Sequence, residues 1–136
     1  MTSKLRLLLL DDEPIVGKTL KPALSKVGCD VEVYENPAQA LKRVDEQEFD
    51  IIVTDIRMEG MDGIEVLDHI RKKSPRTKVI MITGYAMMET AREAMEKGAF
   101  DFISKPFEPG ELRAVVARAA RALGYELPDL NGKIST

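Results

Sequence analysis

Three acidic residues stand in a row, Asp11-Asp12-Glu13, directly after the apolar run Leu5–Leu10. A fourth acid, Asp55, closes the β-branched run Ile51-Ile52-Val53-Thr54. Thr83-Gly84 follows a similar run at 78–82, and Lys105-Pro106 follows another at 100–103. If these runs are neighbouring parallel strands, their ends lie about 4.8 Å apart. Carboxylates from two strands and one ammonium then meet on a single rim. Acids that close raise one another's pKa and cannot all stay ionised unaided. A hard divalent cation relieves the repulsion, and carboxylate oxygens with few other ligands suit Mg2+, which keeps several waters. The Lys105 ammonium and the Thr83 hydroxyl opposite it would complete a cradle for a tetrahedral, oxygen-rich anion such as a phosphoryl group.

Each piece alone has a plainer use. Acids ahead of a helix complement its dipole, Asp55 can be a strand-end turn residue, and Lys-Pro suits an ordinary loop. Their coincidence at strand ends favours the phosphoryl reading, provided the intervening chain delivers parallel strands.

The intervening chain has that character. Leu5–Leu10 is nearly continuous in apolar residues, as in a strand buried on both faces. Strands are expected also at 30–34, 51–54, 78–82 and 100–103. Between them lie helical patterns. Glu13-Pro14, Asn36-Pro37 and Glu108-Pro109 place proline in the first turn, where its missing N–H costs nothing. Asp62 with Glu65 has capping-box spacing, and a fourth helix is expected over 86–97, with Ala91, Ala94 and Met95 inward. Leu112, Val115, Val116, Ala119 and Leu123 form the inward stripe of the last helix. Five such strand–helix units require right-handed crossovers and an open parallel sheet covered on both faces. Such a doubly wound α/β sheet binds ligands outside the carboxyl ends of its strands.

Length and charge narrow the function classes. The chain has 136 residues, enough for one domain, with 20 Lys+Arg against 23 Asp+Glu and a net charge of −3. No basic surplus points to nucleic acid. Cys29 is the sole cysteine and makes no internal disulfide. The apolar start is broken at Asp11, too early for a signal peptide or a membrane span. A cytoplasmic domain over 1–123 is expected, contacting neither nucleic acid nor membrane, with 124–136 as a flexible tail or linker.

The motifs Leu7-Leu8-Leu9-Leu10-Asp11-Asp12-Glu13, Val53-Thr54-Asp55-Ile56-Arg57-Met58, Met61-Asp62-Gly63, Ile80-Met81-Ile82-Thr83 and Ile103-Ser104-Lys105-Pro106-Phe107 resemble receiver domains of two-component response regulators. The resemblance spans about residues 4–123, and within the family the stretch from Val79 to Phe107 is most similar to receivers of the nitrogen-regulation type, which normally precede an ATPase and a DNA-binding domain. It implies a flavodoxin-like strand order, 2-1-3-4-5. It also implies that Asp55 accepts a phosphoryl group from a histidine kinase or phosphotransfer protein. Asp12 would ligate Mg2+ directly, Asp11 through water, and the Arg57 carbonyl would be a further ligand beside Asp55. Thr83 and Lys105 would contact the phosphoryl group, and Phe102 would be an aromatic switch that follows Thr83. Arg57 and Tyr85 would tune dephosphorylation, and Lys105-Pro106 would be a cis bond. Output would pass through the surface of 86–97, 100–103 and 108–123, by homodimerisation or by a different partner. One departure stands out: Glu59 occupies a position where the family commonly has proline.

Other residues invite less. His69 is expected as a solvated helix residue, Cys29 as an inert small hydrophobe, and Arg113, Arg118 and Arg121 as an outward helix face. A flavoprotein would want a Ser/Thr/Gly-rich phosphate loop where this chain has acids. An aspartyl phosphatase would want its two acids separated by one residue, whereas Asp11 and Asp12 are adjacent. A signalling phosphoacceptor, rather than an enzyme with a diffusible substrate, is the reading that remains. Its alternative is the receiver portion of a larger transcriptional regulator.

Overall fold

The computed structural model describes residues 4–57, 63–84 and 88–127. Strands and helices alternate in chain order: β1 (Leu5–Leu10), α1 (Pro14–Ser25), β2 (Cys29–Tyr34), α2 (Pro37–Glu46), β3 (Ile51–Asp55), α3 (Gly63–Lys73), β4 (Lys78–Thr83), α4 (Met88–Glu96), β5 (Asp101–Ser104) and α5 (Pro109–Ala122). All five strands are parallel and ordered β2-β1-β3-β4-β5. The expected elements are present, with boundaries moved by a residue or two. The Glu59-Gly60 loop, the Asp62 cap and Tyr85 lie outside the described residues.

Period-two alternation divides the core into two layers. Leu5, Leu7 and Leu9 of β1, with Ile51, Val53, Ile80 and Ile82, face α1 and α5. Leu8, Leu10, Ile52, Val79 and Met81 face α2, α3 and α4. The middle strands are therefore apolar on both sides, which is why β1 reads as an unbroken leucine run. Register then aligns the strand ends: Leu10 pairs with Thr54 and Asp55 with Ile82.

Prolines open three helices at N1 as expected. Asn36 caps α2 by accepting the Gln39 N–H at 3.1 Å. Gly63 starts α3 against the end of β3, its N–H donating to the Ile56 carbonyl. A Cβ there would lie 2.7 Å from the Asp55 carbonyl oxygen and from the Ile56 Cα. Only glycine lets this helix approach so closely.

Two expectations need correction. Met95 is not part of the inward stripe of α4, being 39% exposed while Ala91 and Ala94 are fully buried. By helix geometry Met95 lies about 40° round from Ala91 on the side away from Ala94, at the edge of the buried stripe. The second concerns the residues after α5. Gly124 turns the chain at φ 92°, the Tyr125 N–H donates to the Ala120 carbonyl at 2.9 Å, and Leu127 is 6% exposed in the core layer of α1 and α5. The packed body thus runs to Leu127, not Leu123. Residues 128–136 lie outside the described set.

Leu127→Ala should lower the unfolding free energy by about 2 kcal/mol, the usual loss when a buried leucine is truncated at the margin of a core. Urea unfolding checks this; an unchanged midpoint is the outcome expected of a solvated tail.

Candidate functional site

Ladder-type backbone bonds fix each strand-end residue. The Asp11 N–H donates to the Tyr34 carbonyl at 3.1 Å, that of Ile56 to Ile82 at 2.9 Å, and that of Lys105 to Thr83 at 2.7 Å. The rim is thereby built from β1, β3, β4 and the turn after β5. Asp11, Asp12 and Asp55 each bring a carboxylate oxygen within 4.8 Å of the others. Asp11 is 2% exposed and Asp55 7%, while Asp12 faces solvent.

Lys105 reaches into this group across a cis bond to Pro106. Its Nζ lies 2.7 Å from Glu13 Oε1, 2.9 Å from Asp55 Oδ2 and 3.1 Å from Asp11 Oδ2. It donates hydrogen bonds to Glu13 and Asp55. Asp11 Oδ2 is within ion-pair distance but off the hydrogen-bonding line, and it is a buried oxygen with no hydrogen-bond partner. The acids hold the Lys105 ammonium charged well above the ordinary lysine range, against the opposing effect of burial. Burial pushes the Asp11 carboxyl up to about 6, with the Asp55 charge adding to the rise; the Glu13 N–H, 2.9 Å from Oδ1, and Lys105 work against it.

The other expected residues gather close by. The Arg57 N–H donates to Asp55 Oδ1 at 3.0 Å, and the Arg57 side chain is exposed. Thr83 is fully buried, and its hydroxyl donates to the Gly84 carbonyl at 3.0 Å. Phe102, on β5, is half-buried against the layer of α2, α3 and α4. Tyr85 is outside the described residues. Sequence reasoning missed the Glu13–Lys105 bond, because acids before a helix suggest capping; Glu13 is the N-cap of α1 but makes no side-chain cap bond. Gly63 is singled out in the sequence only as part of the Met61-Asp62-Gly63 motif; that it lets α3 close onto the end of β3 is not read from the sequence.

Of the residues not promoted, His69 pairs with Asp45 at 2.8 Å on the α2–α3 surface. Cys29 is buried, which pushes its thiol up to about 12 and keeps it unreactive. Arg118 lies outward, paired with Asp101 at 2.7 Å.

The donor set fits a hard divalent cation. It consists of oxygen ligands, one of them a buried carboxylate oxygen with no hydrogen-bond partner, and an acid whose charge the fold alone disfavours.

A doubly wound sheet of order 2-1-3-4-5 with an acid–lysine rim at its carboxyl edge defines a flavodoxin-like domain of the chemotaxis type. The sequence profile of the response regulator receiver domain matches residues 7–117, so the chain belongs to that family. Regulatory protein AtoC of Escherichia coli K12 is 38% identical over 138 residues, covering 100% of this chain and 30% of its own length. The DNA-binding transcriptional regulator NtrC of the same strain is 35% identical over 111 residues, covering 82% of this chain and 24% of its own. The crystal structure of NtrX from Brucella abortus with ADP superposes with a TM-score of 0.82 at 32% identity, covering 88% of this chain and 28% of that one. These relatives make this a receiver of the nitrogen-regulation type. The chain spans less than a third of their length. No helix among the described residues is long and apolar enough to cross a membrane.

Asp11→Asn should stabilise the metal-free protein at pH 7. The folded-state pKa near 6 exceeds the ordinary 3.8, so wild-type stability falls as pH rises from about 4 through 6. The variant lacks that fall and should gain on the order of 1–3 kcal/mol at neutral pH. The gap should close below pH 4 and narrow in saturating Mg2+, as urea titrations across pH would show.

Proposed function

We propose that this receiver accepts a phosphoryl group on Asp55 from a histidine kinase or phosphotransfer protein in the cytoplasm, with Mg2+ held by Asp11, Asp12, Asp55 and the Arg57 carbonyl. The observation that carries this is the Asp55 carboxylate, flanked by Lys105 at 2.9 Å and by the Asp11 and Asp12 carboxylates. In the transfer, an Asp55 oxygen attacks phosphorus and the P–N bond of the phosphohistidine breaks. Its electron pair returns to the imidazole, which takes up a proton, and an acyl phosphate forms. The cation, when bound, offsets the negative charge of the phosphoryl oxygens and the acids. Lys105 turns from the acids to a phosphoryl oxygen, and the Asp55 side chain is held for attack by the Arg57 N–H. The protein acts as a signalling phosphoacceptor that slowly hydrolyses its own acyl phosphate.

An apolar groove of about 460 Å³ beside Lys105, lined in part by Ile15, Val16, Leu20, Pro106 and Phe107, supports approach of the donor from the α1 side. Ile15 is 64% exposed there. Output follows from Thr83: its hydroxyl exchanges the Gly84 carbonyl for a phosphoryl oxygen, Phe102 moves inward, and the α4–β5–α5 surface repacks. With only Ala91 and Ala94 deeply buried on its described residues, α4 is weakly anchored and shifts at low cost. Glu89, Glu93 and Glu96 on α4 are exposed, as are Arg118 and Arg121 on α5, with Arg113 half-buried; these opposite charges would suit acid-to-base pairing of two copies across that surface. The length of the relatives supports a second reading, that this is the receiver portion of a larger transcriptional regulator.

Acetyl phosphate with Mg2+ should add one phosphoryl group to the wild type and none to Asp55→Asn, read by intact-mass spectrometry. Asp12→Ala should lose both Mg2+ binding and phosphorylation; an adduct on Asp55→Asn would overturn the assignment.

The acyl phosphate should be long-lived, because Arg57 and Tyr85, the residues two beyond the acceptor and two beyond Thr83, are bulky and poorly suited to orient an attacking water. Arg57→Asn and Tyr85→Ala should each speed decay several-fold after the donor is removed, on the order of the charge-assisted hydrogen bond or shielding lost. Unchanged decay in both counts against shielding.

A further inference from the structure

Lys105 carries three N–H donors, and the structure shows two of them used. One goes to Asp55 and the other to Glu13, at 2.7 Å the shortest of its three ion pairs. The distribution is uneven. Asp11 Oδ2, buried, is left without a hydrogen bond, while Glu13, whose side chain is 58% exposed and has water available, takes the donor. Glu13 does not spend its carboxylate on the helix that it caps. Its backbone N–H is bound to Asp11 Oδ1, so the residue is anchored with its side chain within reach of Lys105.

From this we infer that Glu13 is a positioning residue that competes with the phosphoryl group for Lys105 and so opposes phosphorylation of Asp55. The inference rests on the phosphoacceptor reading above and adds a residue to it. In the resting state, the Glu13–Lys105 pair stabilises the unmodified domain. A phosphoryl group on Asp55 needs the same ammonium and brings about two negative charges beside the freed Glu13 carboxylate. Both effects raise the phosphorylated state relative to the resting one. Because Glu13 is largely exposed, the hold is weak and readily broken: exposed pairs are worth roughly a two- to fivefold change in an equilibrium. Glu13 thus tunes the site without blocking it.

The test is phosphorylation by acetyl phosphate at saturating Mg2+, followed for the wild type, Glu13→Gln and Glu13→Asp across a range of NaCl concentrations. Glu13→Gln should be phosphorylated about two- to fivefold faster than the wild type at low salt. The advantage should shrink as salt screens the wild-type pair. Glu13→Asp, which keeps the charge on a shorter stem, should fall between the two. A merely structural role would not make the ratio of rates depend on salt. Phosphorylation of Glu13→Gln at the wild-type rate or slower, with the wild type taking up its phosphoryl group normally, overturns this inference alone. Failure of the wild type to take up any phosphoryl group overturns the phosphoacceptor reading and this inference with it.

Discussion

One ammonium set among three carboxylates is the interaction on which the rest of this molecule depends. Lys105 lies within 3.1 Å of Asp11, Glu13 and Asp55, so the rim carries more negative charge than its single cation can offset. The imbalance has two visible effects. A buried oxygen of Asp11 has no hydrogen bond, and its carboxyl is driven up to about 6. A rim left in this condition by the fold is receptive to a divalent cation.

The far rim of the sheet shows the opposite solution. Asp50, 8% exposed, accepts the Arg6 N–H at 2.8 Å and the Arg76 guanidinium at 2.8 Å, with the Tyr125 hydroxyl 3.4 Å from each of its oxygens. Nearby, the Ser74 and Thr77 hydroxyls lie 2.7 Å apart, and Thr77 donates to the Phe49 carbonyl at 2.6 Å. A buried acid whose partners are all supplied by the protein serves to hold the structure. The contrast between Asp50 and Asp11 separates a structural carboxylate from one kept available for chemistry. Burial alone does not distinguish them.

Much of this was legible in the residues. Leu5–Leu10 and Ile51–Asp55 declare central strands through unbroken apolar character, and the acids that follow them fall where a parallel sheet must place them. What stayed hidden depends on distances between residues remote in sequence. The periodicity that identifies α4 cannot show whether Met95, at the edge of its apolar stripe, is covered. The polar stretch after α5 looks like a linker, because the glycine turn that returns Leu127 to the core also resembles the start of one. Nor does a run of three acids reveal which of them holds the lysine most closely; the exposed Glu13, at 2.7 Å, prevails over the buried Asp11, at 3.1 Å.

The strand order carries one more consequence. With all five strands parallel and a helix following each, every helix begins at the rim where the acids gather. The amino ends of aligned peptide dipoles, each equivalent to roughly half a positive charge, therefore face the same edge as the carboxylates. The backbone that delivers the acids to one edge thus also contributes positive potential there before any side chain or ion does, and an antiparallel strand in place of β1, β3, β4 or β5 would remove one source of that field along with one of the residues it serves.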